Sequence, residues 1–213
     1  MANREYDGMI AVGPAGTGKT QFAKSLAGEA GRPLIILDFA GIQEKWVGSS
    51  NENLNSVFAV IKAISQGSAF WIGSCNSTGN LSPALKRRFN KGTFFFDLPS
   101  DEEKVPIWDI YLKRYEINPK QKRPNDAGWT AADIKQACET SWSFGISLIE
   151  ASEYLTPVAH TDARRIEQLR RAAQSAGYLS ASHPGRYVFA RQDEPEDKAA
   201  PKKARTIRVE EQQ

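Results

Sequence analysis

The sequence predicts an α/β fold: a parallel sheet flanked by helices, followed by a small helical domain. Three observations carry this. The apolar runs Met9–Val12, Leu34–Leu37 and Ala69–Cys75 have the length and continuity of strands buried on both faces. Amphipathic stretches lie between them, so strand and helix alternate, as the crossovers of a parallel sheet require. The first run ends directly in a glycine loop, Gly13-Pro14-Ala15-Gly16-Thr17-Gly18-Lys19-Thr20, that opens a helix.

Taken in order, Met9–Val12 is a buried strand feeding the loop. Thr20–Glu29 is a helix with Phe22, Ala23, Leu26 and Ala27 on one face, ended by Gly31-Arg32-Pro33. Leu34–Leu37 is the second strand. Asn51–Ser65 reads as a helix, with Leu54, Val57, Phe58, Ile61 and Ile64 at helical spacing and Asn51 as its cap. Gln66-Gly67-Ser68 is a tight turn into the third strand, Ala69–Cys75, and Thr93–Asp97 is a fourth. Beyond Leu98-Pro99 the pattern turns helical. Asp101–Tyr115 is capped by Ser100, with acids in its first turn, and is followed by Thr130–Trp142, Ile146–Tyr154 and Thr161–Gly177. Tyr178–Ala190 has the pattern of a small hairpin around Ser182-His183-Pro184-Gly185. From Arg191 the chain is charged and poor in large apolar residues, the composition of a disordered tail. The expected organisation is a nucleotide-binding α/β domain over 1–99, a helical domain over 100–158, a helix and hairpin over 159–190, and a tail over 191–213.

Bulk properties narrow the function. With 213 residues, 28 basic and 25 acidic, the net charge of +3 gives no case for nucleic acid or an anionic membrane. No apolar run approaches the roughly 20 residues needed to span a bilayer, and Met1–Asp7 has no signal-peptide core. The two cysteines, Cys75 and Cys138, lack metal-ligand spacing and read as inert thiols. A cytoplasmic protein is expected.

The glycine loop is the pattern with chemical content. G-x-x-x-x-G-K-T between a strand and a helix is the phosphate-binding P-loop: its glycines let backbone N–H groups turn inward around phosphate oxygens. The helix that follows points its N-terminal dipole at the same oxygens. Lys19 is expected to reach the β- and γ-phosphates, and Thr20 to ligate Mg²⁺. ATP or a close relative is the expected ligand.

Further segments appear in a recognisable order. Lys45-Trp46-Val47-Gly48, before Ser49–Leu54, resembles the first pore loop of the AAA ATPases of the proteasomal and membrane-protease type. Phe70–Asn76 resembles that family's sensor-1 strand, Leu81–Phe89 its arginine-finger segment, Phe94–Glu103 its junction into the lid domain, and Trp129–Ile134 the start of a lid helix. The resemblance covers roughly residues 8–155 and implies roles. Asn76 would orient the attacking water, and Arg87 or Arg88 would act on the nucleotide of a neighbouring subunit in a ring. Trp46, with Lys45 and Val47, would face a central pore and grip a polypeptide. The residues alone leave blander readings open: Asn76 beginning a turn, the arginines as a solvated cluster, Trp46 in the core.

The sequence also departs from that family. A strand ending in Asp-Glu, the Walker B motif, should stand between the pore-loop helix and the sensor-1 strand, yet only Gln66-Gly67-Ser68 fills that place. Asp38 closes the second strand but precedes Phe39. Asp97 precedes Leu98-Pro99, and Glu102 and Glu103 fall on a helix. None matches Walker B. Phosphate binding survives this loss, Mg²⁺ loses a supporting carboxylate, and hydrolysis loses its base, an effect of about 10²–10⁴-fold. A sheet reduced to about four strands follows, with the third strand beside both the first and the second. Only the short segment Met1–Gly8 precedes the first strand, where the family uses an upstream segment to wall the adenine. The expected function is ATP binding by an AAA-type module that remodels a protein partner in a ring, with turnover impaired or lost. The alternatives are a non-hydrolysing regulatory subunit, or a DNA-linked P-loop ATPase such as a helicase or clamp loader.

Overall fold

The computed structural model describes residues 8–39, 59, 63, 68–77, 81 and 86–189. The expected helix over 51–65 and the pore-loop residues Lys45, Trp46 and Val47 lie outside the described residues, apart from two isolated helix positions.

The central sheet is parallel. It contains β1 (Gly8–Val12), β2 (Leu34–Asp38), β3 (Phe70–Cys75), β4 (Thr93–Phe95) and β5 (Leu179–Ser180), in the order β2-β3-β1-β4-β5. β1 is buried along its whole length, which is why it reads as an unbroken apolar run. The β3 strand pairs with β1 from Gly8↔Trp71 to Val12↔Cys75, and with β2 from Leu34↔Phe70 to Asp38↔Ser74. The expected placement of the third strand between the first and second is therefore observed. The expected count of about four strands is corrected to five among the described residues. β5 adds in parallel to β4 through Phe94↔Leu179 and Phe95↔Ser180, and Leu179 also bridges antiparallel to Arg186. A two-residue strand shows no periodicity in sequence; Tyr178 and Tyr187, both buried, anchor it.

Helices cover both faces. α1 (Lys19–Ala30) packs Ala23 against Met9, Ala11, Phe70 and Ile72. The opposite face buries Ile10, Val12, Leu37, Trp71 and Phe95 together with Leu169, Ala173, Tyr178 and Tyr187. The residues from Leu169 onward thus complete the core of the sheet from the far end of the chain.

A second core belongs to the helices between β4 and β5. α2 (Asp101–Arg114), α3 (Ala131–Phe144) and α4 (Leu148–Ser152) gather around Trp108, Leu112, Trp129, Ile134, Ala137, Cys138 and Leu148. Each of the three begins with a reciprocal capping box: Ser100 with Glu103, Thr130 with Asp133, Ser147 with Glu150. Such caps satisfy otherwise orphaned N–H groups and contribute about 0.5–2 kcal/mol each. α5 (Val158–Thr161) and α6 (Ala163–Ser175) lead back to the sheet. No helix among the described residues is long and apolar enough to cross a membrane.

Candidate nucleotide site

The site stands at the C-terminal edge of the sheet, where open α/β folds place their ligands. β1 runs into Gly13, whose backbone passes so close to Phe96 that a Cβ there would lie 2.0 Å from the Phe96 carbonyl oxygen. Gly16 and Gly18 hold φ of +79° and +87°, a region that L side chains rarely adopt. Gly18 is the N-cap of α1 and offers no side-chain cap, and the first turn carries no acid. The leading N–H groups of a 12-residue helix are thus left without a side-chain acceptor. That arrangement suits an anion.

Lys19 is buried in this loop, and its Nζ donates to the carbonyls of Gly13 at 2.8 Å and Pro14 at 2.6 Å. Burial lowers its pKa to about 8, partly opposed by the Cys75 thiol nearby. Thr17 Oγ1 donates to Pro14 O at 3.0 Å and tightens the turn. Thr20 is exposed at the helix start. Phosphate oxygens brought here would replace two neutral carbonyls as acceptors of the lysine.

The helical domain closes over the loop. Ala132 N donates to Gly16 O at 3.2 Å, and a Cβ on Gly16 would meet Thr130 Oγ1 at 2.6 Å. Thr130 is itself fixed by Asp133, which accepts from its N–H and its hydroxyl. Between the two domains lies a cavity of about 980 Å³, of the size that holds a nucleotide. Its lining runs from the loop through Asp38, Ser74 and Asn76 to Ile107, Tyr111 and Lys135 of the helical domain. Sequence reasoning assigned no ligand contact to that domain; the signal was Gly16, whose lack of a side chain admits Thr130. A second cavity of about 1060 Å³ surrounds Asp97 and Arg170, but those charges are paired with each other at 2.8 Å.

The expected site residues divide. Ala15 to Thr20 and Asn76 line one cavity, Asn76 exposed just beyond β3, while Gly13 and Pro14 are not part of that lining and meet it through their carbonyls on Lys19. Arg87, exposed, and Arg88, half-buried, are not among the residues lining that cavity. Asp97 accepts from Leu98 N–H, Arg170 and the Tyr187 hydroxyl, which ties it into the fold. The residues present fit a nucleoside polyphosphate: a glycine cradle, a buried lysine and an uncapped helix. Among the described residues no group of three or more His, Cys, Asp or Glu could hold a metal alone. Mg²⁺ fits this donor set in the way usual for it, through one hydroxyl or carboxylate together with substrate phosphates. Both cysteines are free and buried, and burial pushes Cys138 up to about 11, in keeping with inert thiols.

The chain is similar to known proteins in sequence and in fold. The family model described as "ATPase family associated with various cellular activities (AAA)" matches residues 9–72. The chain is similar to ATPase family AAA domain-containing protein 2 of Homo sapiens, 26% identical over 183 residues, covering 62% of this chain and 13% of that protein. It is also similar to the spastin homolog of Caenorhabditis elegans, 21% identical over 212 residues, covering 76% of this chain and 40% of that one. The chain therefore spans less than half the length of these curated relatives. Its fold is similar to that of the FIGL-1 AAA domain solved in complex with ADP, with a TM-score of 0.54 at 17% identity over 79% of this chain and 78% of that one. The 183 aligned positions of the human protein take in 62% of 213 residues here, about 132, so about 50 positions have no counterpart. The 212 positions of the spastin homolog take in 76%, about 162, and leave about 50 again. The matched model over residues 9–72, the relatives and the shared fold make this chain similar to the AAA family of P-loop ATPases.

Proposed function

We propose that the chain binds ATP with Mg²⁺ between its sheet and its helical lid, and works in a ring assembly that remodels a polypeptide partner, in the cytoplasm. The observation that carries the reading is the buried Lys19 inside a glycine loop at an uncapped helix N-terminus, covered by Thr130–Ala132 of the lid. Lys19 and the first-turn N–H groups of α1 bind and neutralise the phosphates. Thr20 ligates the metal, which offsets phosphate charge when bound. Asn76 orients water beside the terminal phosphate. Arg87 or Arg88, away from the chain's own cavity, serves the nucleotide of a neighbour, and Lys45, Trp46 and Val47 grip the polypeptide.

Turnover by this reading is weak. The residue after Asp38 is Phe39, buried at 2% exposure with its ring against Gly73, so no carboxylate stands there to take a proton from water. The about 50 unmatched positions are in keeping with the missing Asp-Glu strand. These observations also favour a second reading, a regulatory subunit that binds ATP without hydrolysing it and lends its arginine to an active neighbour. ATP titration and phosphate release, on the chain and on Lys19→Ala, separate the cases. Binding lost in Lys19→Ala, with phosphate release above background, supports the remodelling ATPase. Lys19-dependent binding with release at background supports the regulatory subunit. Binding that survives Lys19→Ala unchanged overturns both.

A further inference from the structure

One carboxylate at the C-terminal edge of the sheet has no role in the reading above. β2 ends in Asp38, whose register partner is Ser74 on β3, and Ser74 in turn faces Ala11 on β1. At about 4.8 Å per strand spacing, the Asp38 backbone stands about 10 Å from Ala11, two residues before the glycine loop. The direct β2–β3 pairing brings it this close; an intervening strand would move it about 5 Å further out.

Its face is also defined. Leu37 enters the core shared with Ile10, Val12 and Cys75. Leu34 packs in the core beneath α1, with Ala11, Ala23 and Ile72. Strand side chains alternate, so Asp38 shares the face of Leu34, the one over which α1 rises. It is exposed and lines the same cavity as Lys19, Thr20, Ser74 and Asn76. Asp38 and Lys19 also act on one thiol: burial is the main cause that raises the Cys75 pKa, Asp38 adds to it and Lys19 opposes it. Both charges are therefore within electrostatic reach of the same sulfur.

We propose that Asp38 supplies the outer carboxylate of the divalent cation held by Thr20 and the nucleotide phosphates, an inference that rests on the ATP-binding reading. Mg²⁺ keeps several waters and uses one or two carboxylates beside phosphate oxygens, so a carboxylate on the cavity wall is a fitting partner. β2 thereby takes over the place that the sequence leaves empty between the pore-loop segment and the sensor-1 strand. It brings an aspartate without an adjacent acid. The metal is retained and the base is not.

The test uses Mn²⁺ as the probe, with free ion followed by electron paramagnetic resonance in ADP-saturated chain. Asp38→Asn and Asp38→Ser are compared with wild type on samples of matching circular dichroism, together with ADP affinity in EDTA. The expected result is a 10- to 100-fold loss of Mn²⁺ affinity, the usual effect of removing an outer-shell partner, with metal-free ADP affinity kept within about twofold. Asp38→Glu should recover part of the loss. Wild-type Mn²⁺ affinity in both variants, with ADP binding still dependent on Lys19, overturns the role of Asp38 alone. No nucleotide binding by the wild-type chain, with or without metal, overturns the ATP-binding reading and this inference with it.

Discussion

Nucleotide affinity should fall steeply as pH rises through the region where Lys19 loses its proton. In the free chain burial lowers the Lys19 pKa to about 8, so at about pH 9.5 about 3% of molecules carry the charge. Bound phosphates favour the charged form and return the group toward the ordinary lysine value of about 10.4. Binding above pH 8 then takes up a proton, and affinity falls with rising pH until the bound-state pKa is reached. Between about pH 7.5 and about pH 9.5 these two values give a loss of about 20-fold, or about 1.8 kcal/mol. ATP is fully ionised across that range and adds no slope of its own. Titration of a fluorescent ATP analogue at the two pH values measures the loss. Calorimetry in two buffers of different ionisation heat should show uptake of about 0.9 proton per nucleotide at the higher pH. Lys19→Arg, with its fixed charge, should abolish the slope. Equal affinity at both pH values without proton uptake, while Lys19→Ala binds poorly, would refute the argument, because Lys19 would then be charged throughout.

Two packing predictions follow from the sheet. A Cβ on Gly73 would lie 2.3 Å from Phe39 Cε2 and 2.5 Å from Cζ. Gly73→Ala should therefore cost about 1–3 kcal/mol in urea unfolding, and adding Phe39→Leu should return part of it. Equal stability of Gly73→Ala and wild type would mean that the ring moves freely. Tyr187 is buried and its hydroxyl donates to Asp97, which still holds Arg170 at 2.8 Å without it. Tyr187→Phe should lower stability by about 1–2 kcal/mol and leave Lys19-dependent nucleotide binding intact; a loss of binding without a loss of stability would contradict that separation.

The parts legible in the sequence are those governed by local rules. β1, the loop and α1 follow from one apolar run, fixed glycine spacing and helical periodicity. The cap at Ser100 follows from a hydroxyl residue placed three before an acid, whereas Thr130, read as the first residue of its helix, is the cap of that helix. Even the neighbours of β3 were readable, because Gln66-Gly67-Ser68 leaves no room for another strand. The rest depends on register and return of the chain. β5 has two residues and no period, and its place beside β4 is fixed by Tyr178 and Tyr187, which pack with Phe95 in the core of the sheet. The lid's contact with the loop is a long-range meeting of Thr130 and Gly16. Asp38 was visible as a strand-ending acid, but Phe39 after it argued against a Walker B role. Only the pairing of Asp38 with Ser74 shows which edge and face it occupies.

The lid leaves the sheet after β4 and rejoins it at β5, and those strands are hydrogen-bonded neighbours. Departure and return are moreover pinned together, since Arg170 on α6 holds Asp97 just past β4. Such a pair of adjacent attachments acts as a hinge pin. It favours turning about one line near Asp97 over sideways shear, with Gly16 and Ala132 at the free edge. A nucleotide that separates Gly16 from Ala132 by a small step would therefore be read out as a rotation of the whole lid, with the hairpin at Ser180 to Arg186 seated at the pivot.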